Sequence, residues 1–297
     1  MYKQISSNKW KSFFLILFFL CLIFVLAWLL GEQTGLGSQA LILAVIIAVA
    51  MTFGSYYASD KIVLAISRAK PVEKKDYPYL YNVVEGLAIA GGLPKPRCYI
   101  IDDTAPNAFA SGRNPKNSVI VVTKGLLQKL NRAELEGVIA HEMAHIKNYD
   151  VLLMTLTVVM VGVVVLLSDW MLRSFIWGGG KRRRSSKEGG NAGAILVVVG
   201  LVLAILSPLI AQLIRLAVSR KREFLADANG AFLTRYPPGL ASALKKLDAD
   251  KEPLEAANKA TAHLYIVNPL KDIKGVVNKM YSTHPPIEER VAALEKM

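Results

Sequence analysis

Histidine and cysteine are both scarce in this chain, with four His and two Cys among 297 residues. Two cysteines cannot build a disulfide framework. Cys21 sits inside an apolar run and Cys98 inside a predicted strand, so both are expected to be buried free thiols in a reducing compartment. Acidic side chains are also in short supply: 23 Asp and Glu against 36 Lys and Arg leave a net charge of +13. That excess forms no aromatic-interleaved basic face and accompanies no nucleic-acid motif, so no nucleic-acid partner is expected. No internal repeat is visible.

What the chain has in abundance is apolar surface. It is 53% hydrophobic, with a mean hydropathy of +0.35, and the excess is concentrated in four runs. Phe13 to Leu30 is the purest. Ala40 to Phe53 extends less cleanly to Ala58. Val151 to Leu167 is interrupted only by Thr155 and Thr157, and Ala194 to Ala211 contains Ser207 and Pro208. Each approaches the roughly 17–25 residues that a membrane helix needs. The first run follows Lys3, Lys9 and Lys11, but it is longer than a signal-peptide core and no cleavage site follows cleanly, so it reads as a retained anchor. The turn at Gly31 to Ser38 carries no Lys or Arg, whereas Lys61, Arg68, Lys70, Lys74 and Lys75 follow the second run. That asymmetry places the N-terminus and the segment after the first hairpin in the cytosol. The basic loop at about 173–193 opposes this layout if both later runs cross fully.

The chemistry is concentrated in His141-Glu142-Met143-Ala144-His145. Residues four apart share a helix face, so His141 and His145 can present two imidazoles to one metal ion with Glu142 beside a water on it. Asn131 with Glu134 three residues later forms a capping-box signature for that helix, and Leu135, Val138, Ile139 and Ile146 give it an apolar stripe. Two His are one ligand short of a catalytic zinc set. Glu223 and Asp227 are also four apart. Glu223 could supply the third ligand and Asp227 could accept a ring N–H from a ligand His. An ordinary amphipathic helix would give the same spacing.

The stretch from about Asp60 to Asp150, expected to be a cytosolic domain, contains a predicted helix opened by Asp76 and Pro78 and closed by Gly91-Gly92. Cys98 to Ile101 and Ser118 to Val122 read as strands. Asn107 to Ala110 between them is either a connecting loop or a short edge strand on which an extended peptide could pair.

H-E-M-A-H-I-K-N-Y-D followed by S-R-K-R-E-F-L-A-D resembles the HtpX family of membrane-bound zinc metalloproteases. So do Pro106 to Gly112, similar to that family's substrate-side strand, and Ser282-Thr283-His284-Pro285-Pro286 with Arg290, similar to its C-terminal signature. The segments occur in the family's order over essentially the whole chain. The resemblance implies a gluzincin-type endopeptidase holding one Zn2+ through His141, His145 and Glu223. Glu142 is then the general base, Asp227 supports a ligand His, and Asn107, Ala108, Phe109 and Ala110 meet the substrate. His284 is a candidate second donor to the oxyanion, with a turn residue before Pro285 as the alternative; Arg290 is another candidate donor, and His263 reads as structural.

The expected fold class is α+β: a zincin-like metalloprotease domain, with a small mixed sheet and active-site helices, fused to four membrane helices. Its parts are an N-terminal membrane hairpin over 1–58 (helices about 13–30 and 40–57), the first protease segment over 59–150, a second membrane hairpin over 151–211, and the second protease segment over 212–297. The family implies a multi-pass protein of a bacterial cell membrane, its active site facing the cytoplasm, cutting misfolded membrane proteins. Three rival readings are an intramembrane-cleaving metalloprotease, a CAAX-prenyl-protease-like enzyme, and a non-catalytic scaffold with structural zinc. Arg132, Glu134, Glu136 and Lys147 around the motif are too polar for a bilayer core. CAAX prenyl proteases are larger, and the intact Glu142 argues against a scaffold.

Overall fold

The computed structural model describes residues 2–34, 37–162, 219–258, 261–270 and 284–297. Two long helices open the chain, α1 (Tyr2–Thr34) and α2 (Gly37–Ile66), and they pack along each other. Both outrun the predicted spans, and they absorb most of the turn expected at Gly31 to Ser38. Residues 8, 12, 15 and 19 follow helical spacing; Asn8, Ser12, Leu15 and Phe19 are accordingly the buried face of α1. Trp10, Phe13, Phe14, Leu17, Phe18, Phe24, Val25 and Trp28 stand exposed on the same helix, and so do Ile42, Val45, Ile46, Val49, Phe53 and Tyr57 on α2. Cys21 is exposed on α1 rather than buried, because it falls outside that inward face. Among the described residues no helix is long and apolar enough to cross a membrane; several side chains of α1 and α2 fall outside the description. Residues 163–167 of the third run, the basic loop at 173–193 and the fourth run at 194–211 also lie outside it, as do Ser282 and Thr283.

A four-stranded mixed sheet follows, ordered β1-β2-β4-β3, from β1 (Lys70–Pro71), β2 (Arg97–Ile101), β3 (Ala108–Asn114) and β4 (Asn117–Thr123). β2 runs parallel to β4 with Cys98 opposite Ile120, and β3 runs antiparallel to β4 with Phe109 opposite Val121. Both predicted strands form, and Asn107 to Ala110 leads into a real edge strand. Alternation along these strands sends side chains to opposite faces. Ile100, Ala108, Ala110, Ile120 and Val122 join one core; Ile101, Phe109, Val119 and Val121 join a second.

The first face is covered by α3 (Pro78–Gly91), α5 (Arg132–Lys147) and α7 (Pro237–Ala249). α3 has Pro78 in its first turn and ends on Gly92 in the left-handed region, φ 62°. Short α4 (Lys124–Lys129) connects β4 to α5. On the second face lie Val63 and Leu64 at the end of α2, Met154 and Val158 from helical residues 150–162, and Leu254, Leu264 and Tyr265. Thus α2 continues past residue 58 into the core beside the sheet. Likewise Val151 to Val161, read as the start of a membrane run, is buried in the protein. Thr155, one of its two polar interruptions, has its hydroxyl 3.0 Å from that of Ser111 on β3. Buried Cys98 has its thiol pKa pushed up to about 11 by burial, as expected of an inert core thiol.

Candidate metal centre

α5 begins as its sequence dictates. Asn131 Oδ1 accepts from the Glu134 N–H at 3.0 Å, and Glu134 Oε2 accepts from the Asn131 N–H at 2.9 Å, completing the capping box. Such a cap is worth about 1 kcal/mol. Packing outweighs it: Leu135, Val138, Ile139, Met143 and Ile146 are all fully buried, at roughly 1.5–3 kcal/mol each. Glu134 also accepts from Ser242 Oγ at 2.6 Å and Lys246 Nζ at 2.8 Å, tying α5 to α7. The exposed Arg132–Glu136 pair, at 2.8 Å, keeps the polar character read from the sequence.

α6 (Arg220–Thr234) crosses α5 at close range. A Cβ on Gly230 would lie 3.0 Å from the His141 nitrogen, so only glycine permits this approach without displacement. The crossing brings Glu223 beside the two histidines. Donor atoms of His141, His145 and Glu223 all lie within 4.8 Å of one another, and all three residues are buried. The two Nε2 atoms face each other at 3.1 Å. Glu223 Oε1 is 3.5 Å from His145 Nε2 and Glu223 Oε2 is 3.8 Å from His141 Nε2. Donors at the usual zinc distance of about 2.0–2.1 Å in a tetrahedron are about 3.3 Å apart, so the set fits that ion. Four buried carboxylates, Glu142, Glu223, Asp227 and Asp150, gather here with the buried cations Arg290 and Arg222.

Each histidine is oriented from behind. His141 Nδ1 lies 2.8 Å from Asp227 Oδ1, the partnership expected for Asp227. Arg290 at the start of α8 (Ile287–Leu294) grips that carboxylate with two bonds, Nε to Oδ2 at 2.8 Å and Nη2 to Oδ1 at 2.7 Å. Its Nη1 donates to the Ile266 carbonyl at 3.1 Å. Arg290 thus has its guanidinium engaged by Asp227 and the Ile266 carbonyl. His145 Nδ1 lies 3.0 Å from Asp150 Oδ2. The sequence reading passed over Asp150. Its one signal was an acid placed between the motif and an apolar run, within reach because the chain reverses at Tyr149, φ 60°. This turn also ends α5, so the motif helix does not run straight into residues 150–162. Similarly, α6 starts afresh after Ser219, which is extended.

The environments pull the two histidines apart. Burial takes the His141 pKa down to about 4 in spite of Asp227. Burial also opposes the His145 cation, but the Asp150 hydrogen bond with the Glu223, Asp150 and Glu142 charges overrides it and raises its pKa to about 9. Burial, with the Glu223 charge, pushes the Glu142 pKa up to about 7 against the opposing pull of His145, the Ala110 N–H and Arg290. Burial opposes ionisation of Glu223 too; His284, His145 and Arg290 reverse that and hold it well below the usual carboxylate range.

His284 belongs to the site, with Nδ1 2.8 Å from Glu223 Oε2. Its Nε2 is buried without a hydrogen-bond partner among the described residues. His263 is buried near the Met154 carbonyl, at 3.4 Å, away from the metal donors. Asn107, Ala108, Phe109 and Ala110 are all buried. Phe109 packs edge-on against Tyr265 at 5.0 Å and is a core residue. What β3 turns towards the site is backbone: the Ala110 N–H bonds to Glu142, and the Ala108 carbonyl accepts from the Ile266 N–H at 3.0 Å.

Residues 74–297 match the model of peptidase family M48. Similar proteins include two described as protease HtpX homologs. One from Dictyoglomus turgidum is 50% identical over 100% of this chain and 94% of its own length. One from Thermoanaerobacter pseudethanolicus is 44% identical over 100% and 98%. The chain belongs to the HtpX group of peptidase family M48. It is a metalloprotease, and the three clustered donors are placed to bind its metal. The crystal structure of S. mikatae Ste24p is similar in fold, with a TM-score of 0.52 over 99% of this chain and 67% of that one, at 20% identity.

Proposed function

We propose that this protein is a membrane-embedded zinc endopeptidase that hydrolyses peptide bonds of misfolded or damaged membrane proteins at the cytosolic face. The observation that carries the reading is convergence of His141, His145 and Glu223 with a neutralisable Glu142 beside them. Zinc in such a site supplies Lewis acidity to a carbonyl oxygen and to a water. Glu142, with a pKa about 7, is suited to take the proton of the attacking water and return it to the leaving amine. His284 holds the Glu223 carboxylate. With Nδ1–H given to Glu223, its Nε2 can act as an oxyanion donor only when the ring carries both protons. The substrate extends along the outward edge of β3, where the Ala110 N–H exchanges Glu142 for a peptide carbonyl.

The apolar side chains exposed on α1 and α2 support a lipid contact. A helix from Phe13 to Trp28 rises about 22 Å, and unpartnered aromatic and aliphatic surface on that scale is unstable in water. The order of charges around the first two runs supports a cytosolic protease domain, hence a multi-pass protein of a bacterial cell membrane. Casein hydrolysis by the detergent-solubilised chain tests the chemistry. It should stop on chelation, recover on adding zinc, and be abolished in Glu142→Gln while zinc stays bound. Chelator-resistant turnover, or an active Glu142→Gln, would overturn the proposal.

A further inference from the structure

Asn8 is a polar residue, fully buried, in the polar first part of α1 that precedes its apolar run. A buried amide is costly unless both ends are bonded. Here both ends are used, on the turn after α5 and on α6. Nδ2 donates to Asp150 Oδ1 at 2.6 Å and to the Asn148 carbonyl at 2.9 Å. Oδ1 accepts from Arg222 Nη1 at 3.5 Å. Arg222 reaches the same Asp150 oxygen at 3.3 Å. The two oxygens of Asp150 are therefore divided: Oδ2 faces His145 Nδ1, and Oδ1 takes Asn8 and Arg222. The next residue of α1 joins in, with Lys9 Nζ 4.5 Å over the ring of Tyr149, the residue whose positive φ turns the chain back towards the site.

We propose that Asn8 is a positioning residue of the metal centre, through which α1 fixes Asp150 and hence the ring of His145. This rests on the metal-centre reading above. The first helix is then part of the hydrolytic machinery as well as an anchor. By linkage, metal loading tightens its docking as much as its docking tightens metal. Asn8 closes one side of the turn at 148–150 and Arg222, in the first turn of α6, closes the other. The contact thus joins α1, the end of the motif helix and the helix that carries Glu223.

The test is zinc affinity of the full chain in detergent, by competition with a chromophoric chelator, together with the visible spectrum of the cobalt-loaded protein. Asn8→Leu should weaken zinc about 10–100-fold, the range for groups that orient a ligand, and should change the cobalt bands. Ser6→Ala, on the exposed side of α1, should change neither. Asn8→Leu added to Asp150→Asn should cost little beyond Asp150→Asn alone, because both act on one ring. Asn8→Ser, which keeps a shorter polar group, should fall between wild type and Asn8→Leu, and it carries the test if Asn8→Leu does not fold. Unchanged affinity and spectrum in the Asn8 variants, with wild type binding zinc, would overturn the proposal alone. So would a full additional loss in the Asp150→Asn background, the mark of a general packing role. Absence of zinc binding by wild type would overturn the metal-centre reading as well.

Discussion

The two histidines of the candidate metal centre are held by the same device in different surroundings. Each presents Nδ1 to a buried carboxylate, Asp227 at 2.8 Å for His141 and Asp150 at 3.0 Å for His145. Behind Asp227 stands a guanidinium with two short bonds. Behind Asp150 stand a neutral amide and a guanidinium at the longer 3.3 Å. Burial and Arg290 leave His141 a weak base, whereas carboxylates on both sides of His145 make it a strong one. A pair that looks symmetric in the motif is therefore asymmetric electrostatically, because the elements that arrive behind each ring differ. The C-terminal helix serves one ring and the N-terminal helix the other.

The largest effect should come from the charged side. Arg290→Met leaves Asp227 buried without its partner, which typically costs about 3–5 kcal/mol; thermal unfolding should drop sharply and zinc should be lost. A mild change would show that Asp227 is not compensated by Arg290. Next come the two carboxylates. Asp227→Asn and Asp150→Asn should each weaken zinc about 10–100-fold by chelator competition. Only Asp227→Asn should also lower the melting temperature strongly, since it strands Arg290 in the core; equal melting temperatures would erase the asymmetry. Gly230→Ala presses a methyl onto His141 and should cost about 1–3 kcal/mol in denaturant unfolding, a loss specific to the His141 side.

The smallest effect serves as a reference remote from both rings. Burial raises the Glu134 pKa, but hydrogen bonds from Lys246, Ser242 and the Asn131 backbone outweigh it and leave it lowered. A carboxyl with a depressed folded pKa stabilises above its unfolded pKa and loses that contribution as pH falls through the folded value. Glu134→Gln should cost about 1 kcal/mol at neutral pH. The gap from wild type should close below the ordinary glutamate range, and a gap that persists in acid would show that the charge is irrelevant.

Local patterns were readable where one stretch of chain holds all the information. His141, Glu142 and His145 lie on one helix; Asn131 and Glu134 cap it; Gly92 ends α3; short β-branched and apolar runs mark β2 and β4. Glu223 and Asp227 needed a resemblance as well, since only the close crossing at Gly230 brings Glu223 beside the two histidines and Asp227 behind His141. Asn8, Arg222 and Asp150 stayed hidden because their roles arise from contacts between residues up to 214 positions apart. Phe109 was expected on the substrate side through its strand's backbone; where its side chain goes, into the second core, was not legible from that reading. The third apolar run is ambiguous for a related reason: its described part is buried in the protein, and burial against a sheet and burial in lipid ask for the same composition.

Zinc stoichiometry at equilibrium, measured on wild type and on Glu223→Ala side by side, tests the shared donor set most directly. One tightly held zinc per wild-type chain and a large loss in the variant, with the fold retained by circular dichroism, is the predicted result. Equal zinc in both would place the third donor elsewhere and remove the geometric basis of the proposed peptide hydrolysis.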